Sequence, residues 1–306
     1  MAEGQTIKSA VLFVNLHKAH AGPAAEEIRR ELESRNITVK VFAFEGKPTA
    51  FSPGKWDIAF SLGGDGTVLY TARTLAGSGV PILPLHLGTF GFIAGVQQNE
   101  WLPVFEQWLK GTARFSRRCM LELSVERRGE AVAENSFLND AVISASGIAK
   151  LIRLHVQSEN APNDFTELGW YRSDGLIIAT PTGSTAYSMA AGGPILDPEM
   201  EALILSPICP FSLSNRPLVL PSRQSLIITV AQEQRSAVLL TVDGQDTFEL
   251  EPEDRIIIRQ SGHYALLISA GRNSYYSALR DKLNWAGSLT AEGASGGVVS
   301  RGGEDA

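Results

Sequence analysis

The hydrophobic pattern of the first 118 residues alternates between strand-like and helix-like segments. Its four strand-like runs are 10–16, 37–44, 56–62 and 80–88. The segment AGPAAEEIRRELESRN places Ala25, Ile28 and Leu32 at helical spacing, and TVLYTARTLA predicts a second helix. This alternation predicts a parallel sheet with helices on its faces. The helix EWLPVFEQWLKG closes the region, with Gly111 as its stop.

From about residue 119 the pattern changes to short β-like runs separated by turn residues. These runs are MLELSVERRG, NSFLNDAVIS, KLIRLHVQ, DGLIIAT, SLIITVAQ, AVLLTVDGQ, DRIIIRQSG and YALLISA. Such a pattern predicts a mostly antiparallel, β-rich domain, interrupted by one helix at STAYSMAAGG. Helical spacing returns near the end of the chain through Tyr276, Leu279 and Leu283.

These patterns divide the chain into four parts. We expect an α/β domain over residues 1–118, a β-rich domain over 119–270, and a C-terminal helix over 271–286 that packs back on the first domain. Residues 287–306 are rich in Gly, Ser and Ala with little to bury, which predicts a disordered tail. The predicted fold is therefore an α/β domain with a parallel sheet plus a mostly antiparallel β-rich C-terminal domain, with the active site between them.

Composition narrows the classes of function. A chain of 306 residues, 44% of them apolar, can bury a substantial core and form two domains. No window reaches 18 apolar residues, and the run AVLFVNL is too short for a secretory signal, so we expect a cytoplasmic protein without a membrane partner. The formal net charge of -6 gives no electrostatic reason to expect nucleic-acid binding.

The cysteines and histidines point to neither a disulfide framework nor a metal centre. Cys119 and Cys209 lie far apart without metal-type spacing, so we expect buried free thiols. The five histidines form no ligand cluster, and no protein metal site is expected.

The stretch SLGGDGTVLY, residues 61–70, surrounds one acid with three glycines at the end of a predicted strand. Consecutive glycines before a helix let backbone N–H groups face one point, and the helix start adds partial positive charge, which favours phosphate. The same field favours an ionised Asp65, yet a carboxylate repels a phosphate that comes too close. Asp65 therefore suits a hydroxyl group, whose proton it accepts while the glycines hold a phosphate nearby.

On the residues alone, other interpretations of this hinge stay open. Asp65 also suits a turn or a helix N-cap. The hinge satisfies neither GxxxxGK[ST] nor GxGxxG with an acid about twenty residues later, which disfavours P-loop enzymes and common dehydrogenases.

A second motif, DGLIIATPTGSTAYSMAAGGPI at residues 174–195, runs from a predicted strand through a Pro/Gly turn into a short helix. Hydroxyl side chains crowd the start of that helix: Thr182, Ser184, Thr185, Tyr187 and Ser188. N–H donors and hydroxyls at such a helix start can bind pyrophosphate, ribose and amide groups. A well-capped helix with polar side chains is the alternative.

The two motifs together resemble those of the NAD kinase family. GGDGT at 63–67 resembles a signature shared by NAD kinases, diacylglycerol- and sphingosine-type lipid kinases and, more distantly, phosphofructokinases. TPTGSTAYS followed by GGPI resembles the NAD kinase motif, which lipid kinases lack. Other segments that resemble this family in the same order are NLHKAHA, GTFGFIAG, FLNDAVI, LSNRPLVLP, DGQ at 243–245 and YYSALRDKLNW. The resemblance covers about residues 10–286.

The resemblance implies a role for each matching position. Asp65 would be the proton acceptor. The phosphate-binding positions would be Gly63, Gly64, Gly66 and Thr67. The substrate-binding positions would be Gly66, Phe92, Asn139, Asp140, Lys150, Arg172, Asp174, Thr185, Ala186, Tyr187, Ser188, Met189, Ala190 and Gln245.

Within that set the resemblance assigns particular contacts. Asn139 and Asp140 would hold ribose hydroxyls, Asp174 would lie close to the nicotinamide, and Tyr187 would lie against a ring. Phe92 would stack on an aromatic base, with core packing as the alternative. Many members have Glu where Asp140 stands, and we expect the shorter side chain to keep the charge of the pair.

The implied reaction transfers the terminal phosphoryl group of ATP, or of another donor, to the 2′-hydroxyl of the adenosine ribose of NAD, giving NADP. Mg²⁺ or another divalent cation would arrive with the donor phosphates. The family also implies a homo-oligomer, a dimer or a tetramer. Two alternatives remain: a lipid kinase of the diacylglycerol type, and a non-catalytic dinucleotide-sensing module in which Asp65 is only a cap.

Overall fold

In the computed structural model the described residues are 7–46, 48, 51, 54–88, 91–147, 150–162, 164–269 and 273–283. The strands of the first region are β1 (Ser9–Asn15), β2 (Thr38–Phe44), β3 (Ile58–Gly63), β4 (Ile82–His86) and β5 (Val96–Gln97). Its α-helices are α1 (Ala21–Ser34), α2 (Asp65–Thr74) and α3 (Trp101–Leu109), the last preceded by a 3₁₀ turn at Gln98–Glu100.

Strands dominate the second region. They are β6 (Arg114–Arg127), β7 (Glu130–Phe137), β8 (Asp140–Ala145), β9 (Ile152–Ala161), β10 (Asp164–Ser173), β11 (Gly175–Ala179), β12 (Ala202–Ile208), β13 (Leu218–Pro221), β14 (Ser225–Val230), β15 (Val238–Val242), β16 (Asp246–Leu250) and β17 (Arg255–Ser269). A 3₁₀ turn at Thr182–Thr185 precedes the short helix α4 (Tyr187–Ala190), and α5 (Asn273–Leu283) follows β17.

The first region is a parallel sheet covered on both faces by helices, as predicted. β2, β1, β3 and β4 are neighbours and run parallel. α1 buries Ile28 and Leu32 at helical spacing in one cluster with Phe105 of α3. α2 packs on the opposite face, where Val68 lies in a separate cluster. α3 ends before Gly111, whose φ of 67° suits a residue without a Cβ.

The second region is an antiparallel sandwich. One sheet has the strand order β13-β12-β11-β8-β15-β16, with every neighbouring pair antiparallel. Its inner face, with Ile143, Ile178 and Leu205, packs against inner residues of the larger sheet such as Val156 and Ile228. Alternate residues of β9 are buried, the period expected of a strand with one covered face. The predicted fold class is confirmed.

The two regions share one sheet. β17 pairs in parallel with β4 and in antiparallel with β6 and β14, so that the larger sheet holds eleven strands. The domain boundary predicted at residues 118 and 119 falls inside β6. The division into domains stays a prediction.

Several predicted boundaries were wrong. NSFLNDAVIS is two strands, because the chain turns at Leu138 and Asn139 between β7 and β8. DRIIIRQSG and YALLISA form the single strand β17, which has an irregularity in its pairing between Gln260 and Tyr264. The helix predicted over STAYSMAAGG is only a 3₁₀ turn followed by the four residues of α4.

The C-terminal helix is present over the narrower range of α5. It contacts the first region, where the Lys282 Nζ lies 5.0 Å from the centre of the Phe92 ring. It also contacts the second region, because the Tyr275 hydroxyl donates to the Leu196 carbonyl at 2.8 Å. The predicted tail at 287–306 lies outside the described residues.

Both cysteines are free thiols, but they differ in exposure. Cys119 is buried, whereas Cys209 is exposed and the prediction of burial was wrong for it. Cys209 follows the end of β12 with a φ of 44°, in a turn that leads the chain out of the sheet. Within the described residues, no helix has the length and apolar character needed to cross a membrane.

Candidate active site

The glycine hinge connects β3 to α2. Gly64 is the N-cap of α2, with φ −126° and ψ −169°, and Asp65 is the first helical residue. A Cβ atom on Gly63 would overlap the Thr67 hydroxyl, so glycine lets the first turn of α2 fold closely over the strand end. A cavity of about 460 Å³ opens beside the hinge. Residues that line it include Asn15, Lys18, Gly64, Gly66, Thr67, Tyr70 and Gln245.

The Asp65 carboxylate binds the backbone of the loop after β4. Its Oδ2 accepts the Phe92 N–H at 2.9 Å, and its Oδ1 accepts the N–H groups of Ile93 and Ala94 at 3.1 and 2.9 Å. A Cβ atom on Gly91 would overlap this carboxylate. Asp65 is half-buried at the edge of the hinge cavity and is not one of its lining residues. Because a carboxylate offers about four acceptor positions, the described residues leave one position available on Oδ2.

The predicted ribose pair lies in a turn that another carboxylate holds. Asp243 accepts the backbone N–H groups of Leu138, Asn139 and Asp140 at 3.1, 2.8 and 3.1 Å. The Asp140 carboxylate in turn accepts the N–H of Tyr187 at the start of α4. The Asn139 Oδ1 is buried and has no hydrogen-bond donor among the described residues. The pair is therefore fixed in place while this amide oxygen stays available.

Burial raises the pKa values of two carboxyl groups at this turn, those of Asp140 and Asp243. The pKa of Asp140 is raised from 3.8 to about 7, first by burial and then by the negative charge of Asp243, against the stabilising N–H of Tyr187. Burial also raises the pKa of Asp243, against its backbone donors and Arg73. The expectation that Asp140 keeps the charge of the pair stays a prediction, and its raised pKa means that this carboxyl releases its proton less readily than an ordinary aspartate.

Arg73 joins α2 to the second region. Its guanidinium donates to Gln245 Oε1 at 3.2 Å, to Asn135 Oδ1 at 3.0 Å and to Asp246, and it lies 4.0 Å from Asp243. Gln245 also donates from Nε2 to the Gly66 carbonyl at 2.8 Å. The hinge, the Asn139–Asp140 turn and Gln245 are thus brought together by one polar network.

Most hydroxyls of the second motif bind the protein itself. Ser184 Oγ accepts the Leu196 N–H at 3.0 Å, Thr185 donates to the Thr182 carbonyl at 3.3 Å, and Ser188 bonds Ser206 at 3.1 Å. Two groups remain available: Thr182 Oγ1, buried without a partner among the described residues, and the exposed Tyr187 side chain. The neighbouring positions Ala186 and Met189 are half-buried and Ala190 is exposed. The predicted substrate contacts of this segment stay predictions.

Lys150 and Arg172 lie elsewhere. Both are exposed and line a different cavity of about 540 Å³, which shares no lining residue with the hinge cavity. The Arg172 guanidinium stacks 4.6 Å from the centre of the Phe211 ring. Asp174, half-buried, precedes β11 and its N–H donates to the Ile208 carbonyl at 3.0 Å. Within one chain the structure therefore does not gather these three residues at the hinge.

Sequence reasoning missed four residues at this site. Asn15 and Lys18 line the hinge cavity, and the segment NLHKAHA that contains both was a usable signal. Asp243 belongs to the DGQ segment, of which only Gln245 was assigned a role. Arg73 carried no signal, because a helical arginine is usually a solvated surface residue.

Comparison with known proteins identifies the family. Residues 45–113 match the family model of the ATP-NAD kinase N-terminal domain, and residues 138–270 match that of the ATP-NAD kinase C-terminal domain. An NAD kinase of Treponema denticola is 40% identical over 92% of this chain and 98% of the relative. This chain belongs to the NAD kinase family. An NAD kinase of Geobacter sulfurreducens is 35% identical over 91% of this chain and 99% of the relative.

Two solved structures of the family share the fold. A yeast NADH kinase complexed with NADH has a TM-score of 0.81 at 24% identity, covering 93% of this chain and 90% of that one. An NAD kinase from Archaeoglobus fulgidus in complex with ATP has a TM-score of 0.69 at 22% identity, covering 91% of this chain and 99% of that one. Because both sequence identities are below 25%, these two structures show a shared fold and no more.

Proposed function

We propose that this member of the NAD kinase family transfers the terminal phosphoryl group of ATP to the 2′-hydroxyl of the adenosine ribose of NAD, with Asp65 as the proton acceptor. The observation that carries the proposal is the polar network around α2. Asp65 begins this helix beside the hinge cavity, and Arg73 near its end contacts the network that fixes Asn139 and Asp140. Relatives bound to ATP and to NADH support the two substrates.

The hinge cavity suits the phosphates of the donor. Gly64 and Gly66 bring backbone N–H groups to the start of α2, where the helix dipole favours an anion. The Thr67 Oγ1 is buried and has no partner among the described residues, and Lys18 adds a positive charge at the cavity wall. These groups would orient the donor and stabilise the charge that develops during transfer.

The proposed reaction transfers one phosphoryl group and releases one proton. The 2′-O–H bond breaks as the new O–P bond forms, and the P–O bond to the leaving diphosphate breaks with its electron pair. The ribose proton passes to Asp65 Oδ2, which among the described residues accepts the N–H of Phe92 alone and so keeps an acceptor position. The loop amides hold the carboxylate in a single orientation, which is what positioning of a general base requires.

A divalent cation fits this site only as a partner of the donor phosphates. Among the described residues no three His, Cys, Asp or Glu side chains form a metal-binding group, and the described residues that line the hinge cavity include no carboxylate. Mg²⁺ commonly takes most of its ligands from phosphates and water. Such a cation would neutralise charge on the transferring group.

NAD would lie across the second region. The unpartnered Oδ1 of Asn139 can accept a ribose hydroxyl, Asp140 adds a second acceptor when ionised, and the exposed Tyr187 ring can contact a base. The other predicted contacts, at Phe92, Asp174, Ser188 and Gln245, belong to the same proposal.

We also propose a homo-oligomer, a dimer or a tetramer, in the cytoplasm. Lys150 and Arg172 lie apart from the hinge cavity, so a second copy could supply them to the site. The exposed apolar side chains Phe211, Leu213 and Trp170 support an interface between copies.

The first test is formation of NADP. Purified protein is mixed with NAD and Mg²⁺ and with ATP, another nucleoside triphosphate or polyphosphate in turn, and NADP is measured with an NADP-specific dehydrogenase. We expect NADP to accumulate with ATP. Saturable NAD binding without NADP under any donor would instead favour the dinucleotide-sensing module.

A further inference from the structure

A cavity separate from the hinge lies where α5 meets the start of β6 and the end of β17. Its volume is about 220 Å³, and it shares no lining residue with the hinge cavity. Residues that line it include Arg114, Ser116, Arg118, Asp197, Tyr275 and Tyr276. The volume corresponds to about seven water molecules, which is sufficient for a tetrahedral oxyanion with a few waters.

Arg118 is buried in the wall of this cavity with only 6% of its surface exposed. Its Nε donates to Ser116 Oγ at 2.8 Å, which is the only hydrogen bond of its side chain to the described residues. Burial lowers its pKa to about 10, although nearby negative charges oppose that shift. Arg118 therefore stays positively charged at neutral pH, and its two terminal nitrogens have no acceptor in the described part of the chain.

Other shielded arginines of the protein have carboxylate partners. Arg127 donates to both oxygens of Asp254 at 2.9 and 2.8 Å. Arg73 contacts Asp246 directly. A buried guanidinium without such a partner is costly, because removal of a charge from water is unfavourable unless an opposite charge and hydrogen bonds replace the water.

The acids of this cavity act on Arg118 from a distance, without a direct ion pair among the described residues. Arg114 and Glu199 are exposed at its rim. Asp197 accepts the Tyr276 hydroxyl at 2.7 Å and the Glu199 N–H at 2.9 Å, so each of its oxygens accepts at least one hydrogen bond from a group other than Arg118. The described residues form no ion pair between Arg118 and either acid within 4.0 Å.

We propose that Arg118 and Ser116 form a binding site for a phosphate group in this cavity. The guanidinium presents its planar fork to two oxygens of a tetrahedral anion. Ser116 accepts from Arg118 and has a hydroxyl hydrogen left for a third oxygen. Arg114 at the rim adds attraction for an anion that enters from solvent.

The strand that carries Arg118 and the loop that binds Asp65 share one hydrophobic cluster. Met120, two residues along β6 and on the same face as Arg118, packs in one cluster with Ile93 and Ala94. The N–H groups of these two residues hold Asp65. An anion at Arg118 would therefore change the field near the hinge without touching the hinge cavity.

The test measures phosphate binding in the absence of nucleotides. The melting temperature of the full-length protein is followed against inorganic phosphate, at ionic strength held constant with chloride. We expect a saturable rise of about 2–4 °C once phosphate exceeds its dissociation constant five- to tenfold. Arg118→Met should abolish this rise. Arg117→Met is the matched control, because Arg117 is exposed on the other face of β6 over the Tyr264 ring and its loss changes the net charge equally.

A second measurement keeps the proposal testable if Arg118→Met does not fold. Wild-type protein is treated with phenylglyoxal, and each modified arginine is quantified by mass spectrometry. Phosphate should protect Arg118 several-fold more than Arg117. Equal protection of both arginines, or a phosphate-dependent rise that persists in Arg118→Met or that chloride reproduces, would overturn the proposal.

Further titrations identify the source of the phosphate group. If the site takes free phosphate, the rise in melting temperature persists when ATP or NADP is already saturating. If the site takes a phosphate of either nucleotide, that nucleotide removes the response to inorganic phosphate. Neither titration requires turnover, so the assignment of the phosphate source does not depend on the proposed kinase activity.

Discussion

At the scale of single residues, the protein repeatedly uses a carboxylate to hold a turn. Asp65 accepts three N–H groups from the loop after β4, and Asp243 accepts three from the turn before β8. Asp57 similarly accepts the N–H groups of Lys8 and Ser9 at 2.8 Å each. The sequence motif revealed the acid of the hinge, but it could not reveal which distant amides that acid binds.

Asp140 should make stability depend on pH. Its pKa is raised to about 7 in the folded protein, so the folded state binds the proton more tightly than the unfolded chain. The stabilisation that this proton contributes is present at low pH and is lost as pH rises from about 4 to 7. Asp140→Asn should remove this dependence while its amide oxygen still accepts the Tyr187 N–H.

The measurement compares melting temperatures of wild type and Asp140→Asn between pH 5 and 8. The melting temperature of the variant minus that of the wild type should increase up to about pH 7 and level off above it. A difference that stays constant across this range would show that Asp140 has an ordinary carboxyl pKa. In kinetics, the KM for NAD of the wild type should fall as pH rises towards 7, by no more than about tenfold per pH unit.

At the scale of elements, α2 connects the proposed proton acceptor to the turn that holds Asn139 and Asp140. Asp65 begins the helix and Arg73 lies in its last turn, about 12 Å along its axis. Because an α-helix is a rigid element, the contacts of Arg73 with Gln245 and Asp246 fix the hinge relative to the turn that follows β15. We expect this connection to contribute to stability as well as to geometry.

Arg73→Gln should destabilise the protein markedly. The Arg73 side chain is only 11% exposed, and its loss leaves Asp243 and Asp246 without their cation, which costs about 3 kcal/mol. Arg30→Gln is the control, because Arg30 is 75% exposed and its solvent-screened ion pair with Glu26 should contribute little to the free energy of unfolding. Urea unfolding of both variants measures the difference. Equal losses would contradict the role of the network.

The sequence predicted most elements of the fold but not their long-range connections. The periodicity of α1 and the apolar runs of β1 and β3 were sufficient, because local burial determines these segments. The break between β7 and β8 was not predictable, since Asp243 lies more than 100 residues away and holds it open. For the same reason Arg73 could not be assigned to the site.

At the scale of the whole molecule, the two regions form a continuous structure around the hinge. β17 joins the parallel strands to the sandwich, and α5 returns from the end of β17 to contact both Phe92 and Leu196. The candidate residues of the predicted active site lie where the larger sheet, the six-stranded sheet and α2 meet.

The position of Lys150 and Arg172 bears on the proposed oligomer. Their family resemblance assigns them to the substrate, whereas the fold of one chain places them in a cavity apart from the hinge. Sequence alone cannot distinguish a contact within a chain from one supplied by a second copy.

The turnover of Asp65→Asn tests the central claim most directly. The variant keeps an acceptor for the Ile93 and Ala94 N–H groups but cannot take the ribose proton. Asp57→Asn, which alters a carboxylate that also binds backbone N–H groups, is the matched control. We predict that kcat falls at least about 100-fold in Asp65→Asn while NAD affinity stays close to that of the control, and that the melting temperature falls somewhat because the Phe92 N–H loses its acceptor. Wild-type turnover in Asp65→Asn would contradict the account.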